Sequence, residues 1–382
     1  MFAIVLYTIL NYCLACSQKV FRRFTLTLSE SPVYYNKHRH KKPQAAEQCN
    51  SASQTFAQGN KKAMETAVIA VDTGNYDLKF WNGSGDPKAV RSVKFKLPRG
   101  RHALKSNSLN PVVELKGDRY HFGFRAYDYR KQVHTTETEK AHEILLNVLA
   151  CVKPIAPEFK LHVHTSHPHA ERFAEDITKQ LLGSHSYGYN GQSAIAHIES
   201  VSVEPEGLGA WRYAKSSGLI PEQGLTILID IGGGTWLSHL IDEEGEILDS
   251  SVSERGGAYS LAADISFDAR LGNVINDQPD PGVIMNGFAN GTNYYGEDPN
   301  ATWKDWLDEY LEPWFKGIFG KVRTQYKPFL PRVRRFLVTG GSSHLIAQKI
   351  QNIPLFAMTS EPRFDNVQGL LPTSKEAKAV RA

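Results

Sequence analysis

The chain has 382 residues, 41% of them hydrophobic and 22% charged, which excludes a globally disordered protein and allows two domains with substantial cores. Its formal net charge of +4 is unevenly placed: residues 1–63 carry nine Lys/Arg against only Glu30 and Glu47, so the remainder is net acidic and no direct nucleic-acid binding follows. Three of the four cysteines (Cys13, Cys16 and Cys49) share that leader, and Cys151, alone in the body, excludes a disulfide framework and fits a reducing, cytoplasmic compartment.

The leader opens on an apolar run, FAIVLYTILNYCLAC (2–16), that is short for a membrane span. No positive charge precedes it, and Lys19, Arg22 and Arg23 follow it, the reverse of a signal peptide's order. Cys13-x-x-Cys16 lacks a second ligand pair, so no zinc site is expected. Residues 37–63 are polar and patternless, and Met64 stands directly before the first strong strand. Residues 1–63 read as a disordered or misassigned extension, and no membrane association is expected unless that extension is a real anchor.

From Met64 strands alternate with helices. TAVIAVDTG (66–74) and DLKFWNG (77–83) read as a hairpin, AVRSVKFKL (89–97) as a further strand, and VVELKGDRYHFG (112–123) as a hairpin turning at Gly117-Asp118. TEKAHEILLNVLACV (138–152) has helical periodicity, FKLHVHTSHP (159–168) reads as a strand, and HAERFAEDITKQLLG (169–183) as an amphipathic helix closed by Gly183. His162, His164, His167 and His169 crowd this stretch, but no Cys, Asp or Glu joins them at ligand spacing, so a structural role is expected. IESVSVEPEGLGAWRYAKSSG (198–218) leads into LIDIGGGTWLSHLID (228–242), a hairpin GEILDSSVSERGG (245–257) and a helix over 258–272. Residues 276–300, rich in Asn, Asp, Gly and Pro, read as a long loop; residues 301–326 read as a helix interrupted by proline. RRFLVTGGSSHLIAQKIQ (334–351) reads as strand, Gly-Gly turn and helix, with a short strand and a last helical segment near 361–371. Mixed strands and helices in this order imply an α/β fold.

Two segments share one design. IAVDTGNYDLKFW (69–81) and ILIDIGGGTWLSHL (227–240) each run as apolar strand, Asp, one residue, Gly, two residues, apolar strand. Taken alone, each reads as an ordinary hairpin; the duplication, with Asp72 and Asp230 opening the two halves, says more than either copy. Turn glycines leave backbone N–H groups uncovered, and such amides cradle phosphate oxygens. Two carboxylates converging from two halves suit a hydrated Mg²⁺, which takes a few carboxylates plus substrate oxygens.

On these residues the chain resembles the actin-like ATPase superfamily, and within it the ParM-type plasmid-segregation actins. VDTGNYDLKFW is similar to that family's first phosphate loop and IDIGGGTWLSHL to its second; LVTGGSSHLI (337–346) is similar to its adenosine motif. VEPEGLGAW (203–211) resembles the segment between the halves, and PRFDNVQGLL (362–371) the closing Pro-x-x-x-Asn-x-x-Gly segment. The resemblance spans nearly all of residues 65–371. It implies two duplicated ribonuclease-H-like domains around a nucleotide cleft, the first over 64–207 and completed by 355–382, the second over 208–354.

The resemblance also implies roles. Asp72 and Asp230 would position Mg²⁺; Thr73, Gly74, Asn75, Gly232, Gly233, Gly234 and Thr235 would line the phosphates of ATP; Lys79 would reach the β-phosphate region. Glu206 would orient the attacking water, and Gly340, Gly341 and Ser342 would receive the adenosine. Glu254, Gly256 and Gly257 would begin a helix bordering the nucleotide. Tyr76, Asp77 and Trp236 depart from the usual small residues. The implied protein is a Mg-dependent ATPase, polymerising with itself into filaments for plasmid or DNA segregation or as a bacterial cytoskeletal element, with an adaptor protein linking it to DNA. A non-polymerising ATP-binding relative, either a small-molecule kinase or an assembly-platform module, is the alternative. The aromatic-rich stretch WKDWLDEYLEPWF (303–315) reads as a packing helix, or else as part of a filament contact.

Overall fold

The computed structural model describes residues 64–129, 140–253 and 255–371. The expected leader over 1–63, Glu254 and the last residues of the chain, 372–382, lie outside them. The first nine strands are β1 (Thr66–Thr73), β2 (Asp77–Trp81), β3 (Lys88–Arg91), β4 (Lys94–Leu97), β5 (Val112–Leu115), β6 (Asp118–Phe122), β7 (Glu158–His167), β8 (Gly183–Tyr189) and β9 (Gln192–Pro205). They form one sheet in the order β3-β2-β1-β7-β9-β8-β5-β6-β4. Helices α1 (Ile144–Cys151) and α2 (Ala170–Leu181) lie between its strands in sequence. All eight residues of α1 are buried, including Cys151, whose thiol is pushed up by burial and so kept protonated.

After α3 (Leu208–Ser216) come β10 (Leu225–Ile231), β11 (Trp236–Ile241), β12 (Ile247–Ser253), α4 (Ala258–Ser266), α5 (Ala269–Ile275), α6 (Pro281–Asn290), β13 (Tyr294–Tyr295), β14 (Asp298–Thr302), α7 (Leu307–Gln325), β15 (Val333–Thr339), α8 (Ala347–Ile350), β16 (Phe356–Ala357) and α9 (Asp365–Leu370). A second sheet runs β12-β11-β10-β15-β16, and β13 and β14 pair alone. Every residue of β10 and β11 is buried, as expected of strands covered on both faces.

The duplication seen in the two loops extends to the sheets. β3-β2-β1-β7-β9 and β12-β11-β10-β15-β16 are the same arrangement: an antiparallel meander whose first strand pairs in parallel with a later strand, and that strand with another. Asp72 and Asp230 therefore leave equivalent central strands at equivalent ends. Ligands gather at the carboxyl ends of such strands, where the chain turns away and backbone amides are exposed.

Five expectations are corrected. The single strand expected over 89–97 is two strands at opposite edges of the first sheet. Ser92 breaks it, because its N–H donates to Tyr76 O (3.1 Å) and its hydroxyl to Asn75 O, tying this point to the first loop. The sheet must curl strongly for Arg91 and Lys94 to sit on opposite edges. The hairpin over 112–123 turns one residue earlier than expected, with Lys116 (φ 53°) and Gly117 (φ 81°) in the left-handed region, as a two-residue turn between right-twisted strands requires.

The long loop expected over 276–300 holds a ten-residue helix, α6, and a hairpin. Asp280 caps α6 by accepting from the Gly282 N–H (2.7 Å), and Pro281 occupies its first turn. Pro313 does not interrupt α7, which continues to Gln325. Its missing N–H costs one hydrogen bond in the second turn, and the buried Leu311, Phe315, Ile318, Phe319 and Val322 hold the helix by packing. The helix expected over 258–272 is likewise divided, because Asp268 caps a new start at α5.

Candidate functional site

A cleft of about 430 Å³ lies where the two hairpin turns face each other, within the range of small-ligand sites. Gly74, Asn75 and Lys79 line it from the first turn, Asp230, Gly232, Gly233, Gly234 and Thr235 from the second, Glu206 from the segment after β9, and Gly340, Gly341 and Ser342 from the turn after β15. Asp72 and Thr73 are buried just behind this surface. The expected site residues, drawn from segments as far apart as Asp72 and Ser342, are thus brought together.

The glycines are needed for reasons of space. A Cβ on Gly74 would meet Asp77 O at 2.7 Å, and one on Gly233 would meet the Tyr76 side chain at 3.0 Å. Gly257 abuts the second turn itself, with the backbone of Gly232, Gly233 and Gly234 all 2.7 Å from a hypothetical Cβ. Its N–H donates to Gly234 O (3.2 Å), and the next two N–H groups donate to Gly232 O and Gly233 O. The start of α4 thus clamps the turn's carbonyls from behind. Gly340 has φ 96°, and a Cβ there would fall 2.2 Å from Asp230 Oδ1. The backbone after β15 can approach the carboxylate only as glycine.

The charges form one cluster. Lys79 stands opposite Asp72 across the first hairpin and donates to Asp72 Oδ2 at 2.9 Å. Burial alone would push the Lys79 ammonium down, but Asp72, Asp230 and Glu206 outweigh it and hold it above the ordinary lysine value. Lys79 is therefore a fixed cation among three carboxylates. Glu206 is held by its backbone: its N–H donates to His167 O (3.1 Å), and its carbonyl accepts from His239 Nε2 (2.9 Å). Burial pushes His239 down, so it is a neutral imidazole with the proton on Nε2. Gly207 follows with φ 92°, its N–H bonded to Asn366 Oδ1 (3.3 Å), so the turn that aims Glu206 is locked to the closing segment.

The cleft is acidic. Asp77, Glu206, Asp230 and Glu361 line it against two cations, Lys79 and Arg363. A polyanion would enter such a cleft with a divalent cation rather than alone. Asp230, which lines the cleft, and Asp72, buried near it, fit Mg²⁺, which keeps several waters and uses one or two carboxylates plus substrate oxygens. Trp236, expected as a bulky departure, is buried and leaves the turn unobstructed.

The sequence reading misses one wall. Met285, Phe288, Ala289 and Asn290 of α6, with Gly291, line the cleft from the segment taken for a loop. Tyr76 donates to Asn286 Oδ1 (2.7 Å), joining the first loop to α6 across the cleft. His344 lines the rim and places its ring nitrogens against Gly341 O (3.1 Å) and Phe288 O (3.0 Å). The cap and proline of α6 are readable signals; the pairing of Tyr76 with Asn286 is not, since nothing local connects them. Away from the cleft, His162 bonds Ser200 Oγ (2.7 Å), and His167 packs on Phe173 with ring centroids 4.8 Å apart.

Residues 70–209 match the family model described as the N-terminal domain of actin-like proteins. No curated protein sequence matches the chain. Among solved structures, the ADP complex of Ta0583, an archaeal actin homologue, is similar at a TM-score of 0.67 and 16% identity, over 83% of this chain and 100% of that one. A 15-stranded ParM filament from Clostridium botulinum is similar at 0.62 and 16%, over 82% of this chain and 100% of that one. The apo pSK41 ParM protein is similar at 0.59 and 14%, over 83% and 99%. At these identities the likeness is one of fold, and the fold is the actin-like one. Among the described residues no helix is long and apolar enough to cross a membrane.

Proposed function

We propose that this chain, which has the fold of ParM-type proteins and matches the actin-like N-terminal domain over residues 70–209, binds and hydrolyses Mg-ATP in the cleft between its two sheets and polymerises into filaments that serve DNA segregation or a cytoskeletal role. The observation that carries the reading is the convergence of two duplicated Asp-x-Gly turns, a partly buried lysine and Glu206 on one cleft.

Gly74 and Asn75, and Gly232 to Thr235, line the cleft, and their backbone N–H groups, apart from that of Gly232, which donates to Thr235 O (2.9 Å), would receive phosphate oxygens from both sides. Lys79, kept charged by its three carboxylates, would hold the β-phosphate region. Asp230 and Asp72 would hold Mg²⁺, which when bound neutralises phosphate charge. Gly340, Gly341 and Ser342 would admit the adenosine. Glu206, its backbone fixed by hydrogen bonds on both sides, would orient and polarise a water at the terminal phosphate.

Filament formation rests on the fold shared with the ParM filament and on the rule that a head-to-tail interface that does not close extends indefinitely. An adaptor would link the filament to DNA, because the body of the chain carries net negative charge.

The test is light scattering with phosphate release on adding Mg-ATP to the full chain, beside its Glu206→Ala variant. Scattering should rise and then fall as phosphate appears. The variant should release phosphate at least ~100-fold more slowly, and its scattering should persist. ATP binding with flat scattering across micromolar concentrations would sink the filament claim and favour the kinase or assembly-platform alternative.

A further inference from the structure

Lys79 and Arg363 are the two Lys/Arg side chains lining the cleft, and they differ in what they have left to give. Lys79 is partly buried, its side chain 13% exposed, and spends a hydrogen bond on Asp72. Arg363 lies outside every expected site motif role, in the segment that returns the chain to the first sheet. Its side chain is 38% exposed and makes one hydrogen bond, from Nη2 to Asp77 Oδ2 at 2.7 Å.

The surroundings aim this guanidinium. Pro362 O accepts from the Gly340 N–H and from Thr339 Oγ1, both at 3.1 Å, which fixes the residue before Arg363 to the turn after β15. The nearest atom to a hypothetical Cβ on Gly341 is Arg363 Cγ, 3.9 Å away. The stem of Arg363 thus passes the turn expected to receive the nucleoside, and its head reaches Asp77 at the end of the first phosphate turn.

Asp77 cannot swing away to follow it. Its other oxygen takes Arg91 Nη1 at 2.6 Å, and Arg91 is held between the Tyr76 ring (3.7 Å) and the Phe124 ring (4.7 Å). Asp77 is therefore a rigid post, and Arg363 leans on it with four of its five N–H donors uncommitted.

We propose that Arg363 is a phosphate-binding residue of the nucleotide site: held by Asp77 through Nη2, it presents its remaining N–H groups to the nucleotide's phosphates at the open side of the cleft. A planar fork suits phosphate, and charge-assisted bonds to it are about twice as strong as neutral ones. The proposal rests on the cleft being a nucleotide site, as argued above.

The test is competition binding of Mg-ATP, Mg-ADP and adenosine to the full chain and to Arg363→Met, with the ligand-free melting temperature of each. Removing Arg363 leaves Asp77 paired with Arg91, so the variant should melt with the native chain. ATP and ADP should bind roughly tenfold more weakly, with adenosine unchanged. Arg363→Lys, which keeps the charge but not the fork, should fall between, and it carries the test should the methionine variant melt early. Unchanged ADP affinity would overturn the proposal. An equal loss for adenosine and ADP would also overturn it, by placing Arg363 on the base or the ribose. Failure of the native chain to bind either ATP or ADP would instead overturn the nucleotide reading itself.

Discussion

Asp365 is a carboxylate placed where carboxylates are costly. It is fully buried at the start of α9, and burial pushes it up to about 6, against the opposing pull of hydroxyls from Thr359 (2.6 Å) and Thr339 (3.1 Å) and of the Lys79 charge. A carboxyl raised in the folded state binds its proton more tightly there than when unfolded. Its favourable contribution is therefore complete below the unfolded value near 4 and is lost as pH rises through about 6. Two units amount to about 3 kcal/mol at most. Asp365→Asn removes that dependence while keeping an oxygen for one of the threonine hydroxyls. Relative to the native chain, the variant should gain stability steadily from pH 4 to pH 6.5 and no further, as read from urea midpoints. A difference independent of pH would show that Asp365 titrates normally. The sequence offers no hint of this: an aspartate at a helix start reads as a solvent-facing cap, and only the packing of β15 against the closing segment buries it.

Among the elements, the crossing of α3 and α9 holds the closest approach made at any described glycine. A Cβ on Gly369 would fall 1.8 Å from Gly209 O, and one on Gly209 would fall 2.2 Å from Asn366 O. Both obstacles are backbone, so no side chain can yield. The two segments that connect the halves meet here with Asn366, which bonds both Gly207 N–H and Ser166 Oγ (2.9 Å). Gly369→Ala should cost at least ~2 kcal/mol in chemical denaturation. Gly317 and Gly320, in the interior of α7 with nothing within 4 Å, present the opposite case. Gly317→Ala should stabilise the chain by about 0.5–1 kcal/mol, because alanine loses less backbone entropy in a helix. Equal effects at 369 and 317 would mean that the crossing can relax. Both close-packed glycines stand in segments readable by their family resemblance, yet the reason for them, one backbone against another, exists only in three dimensions. Conversely, α6 was legible through Asp280-Pro281 but was obscured by the Asn and Gly around it, since composition marks a loop only where no cap contradicts it.

At the scale of the molecule, the duplication was legible because its signal is local: a buried strand, an aspartate and a glycine turn recur as a unit, and each unit opens the same five-strand arrangement. What lay beyond the sequence is how the halves meet. Links between them around the cleft include the α3–α9 crossing, His239 on Glu206 O, and Tyr76 on Asn286 of α6. The third spans the cleft itself. Burial pushes the Tyr76 phenol up, so it remains a donor at any physiological pH, and its ring is fixed under Arg91. A ligand seated between the two Asp-x-Gly turns would be retained in part by this bond, which joins the first turn to the α6 wall. Removing the hydroxyl deletes one hydrogen bond, worth about 1 kcal/mol, while the ring keeps its packing on Gly233 and Arg91. Tyr76→Phe should therefore release a bound fluorescent ADP roughly fivefold faster, with a nearly unchanged rate of association. Asn286→Ala should do the same, and the double variant should be no faster than either alone, because both changes break one bond. Additive acceleration in the double variant would mean that the two residues act separately, and that the cleft opens without parting Tyr76 from α6.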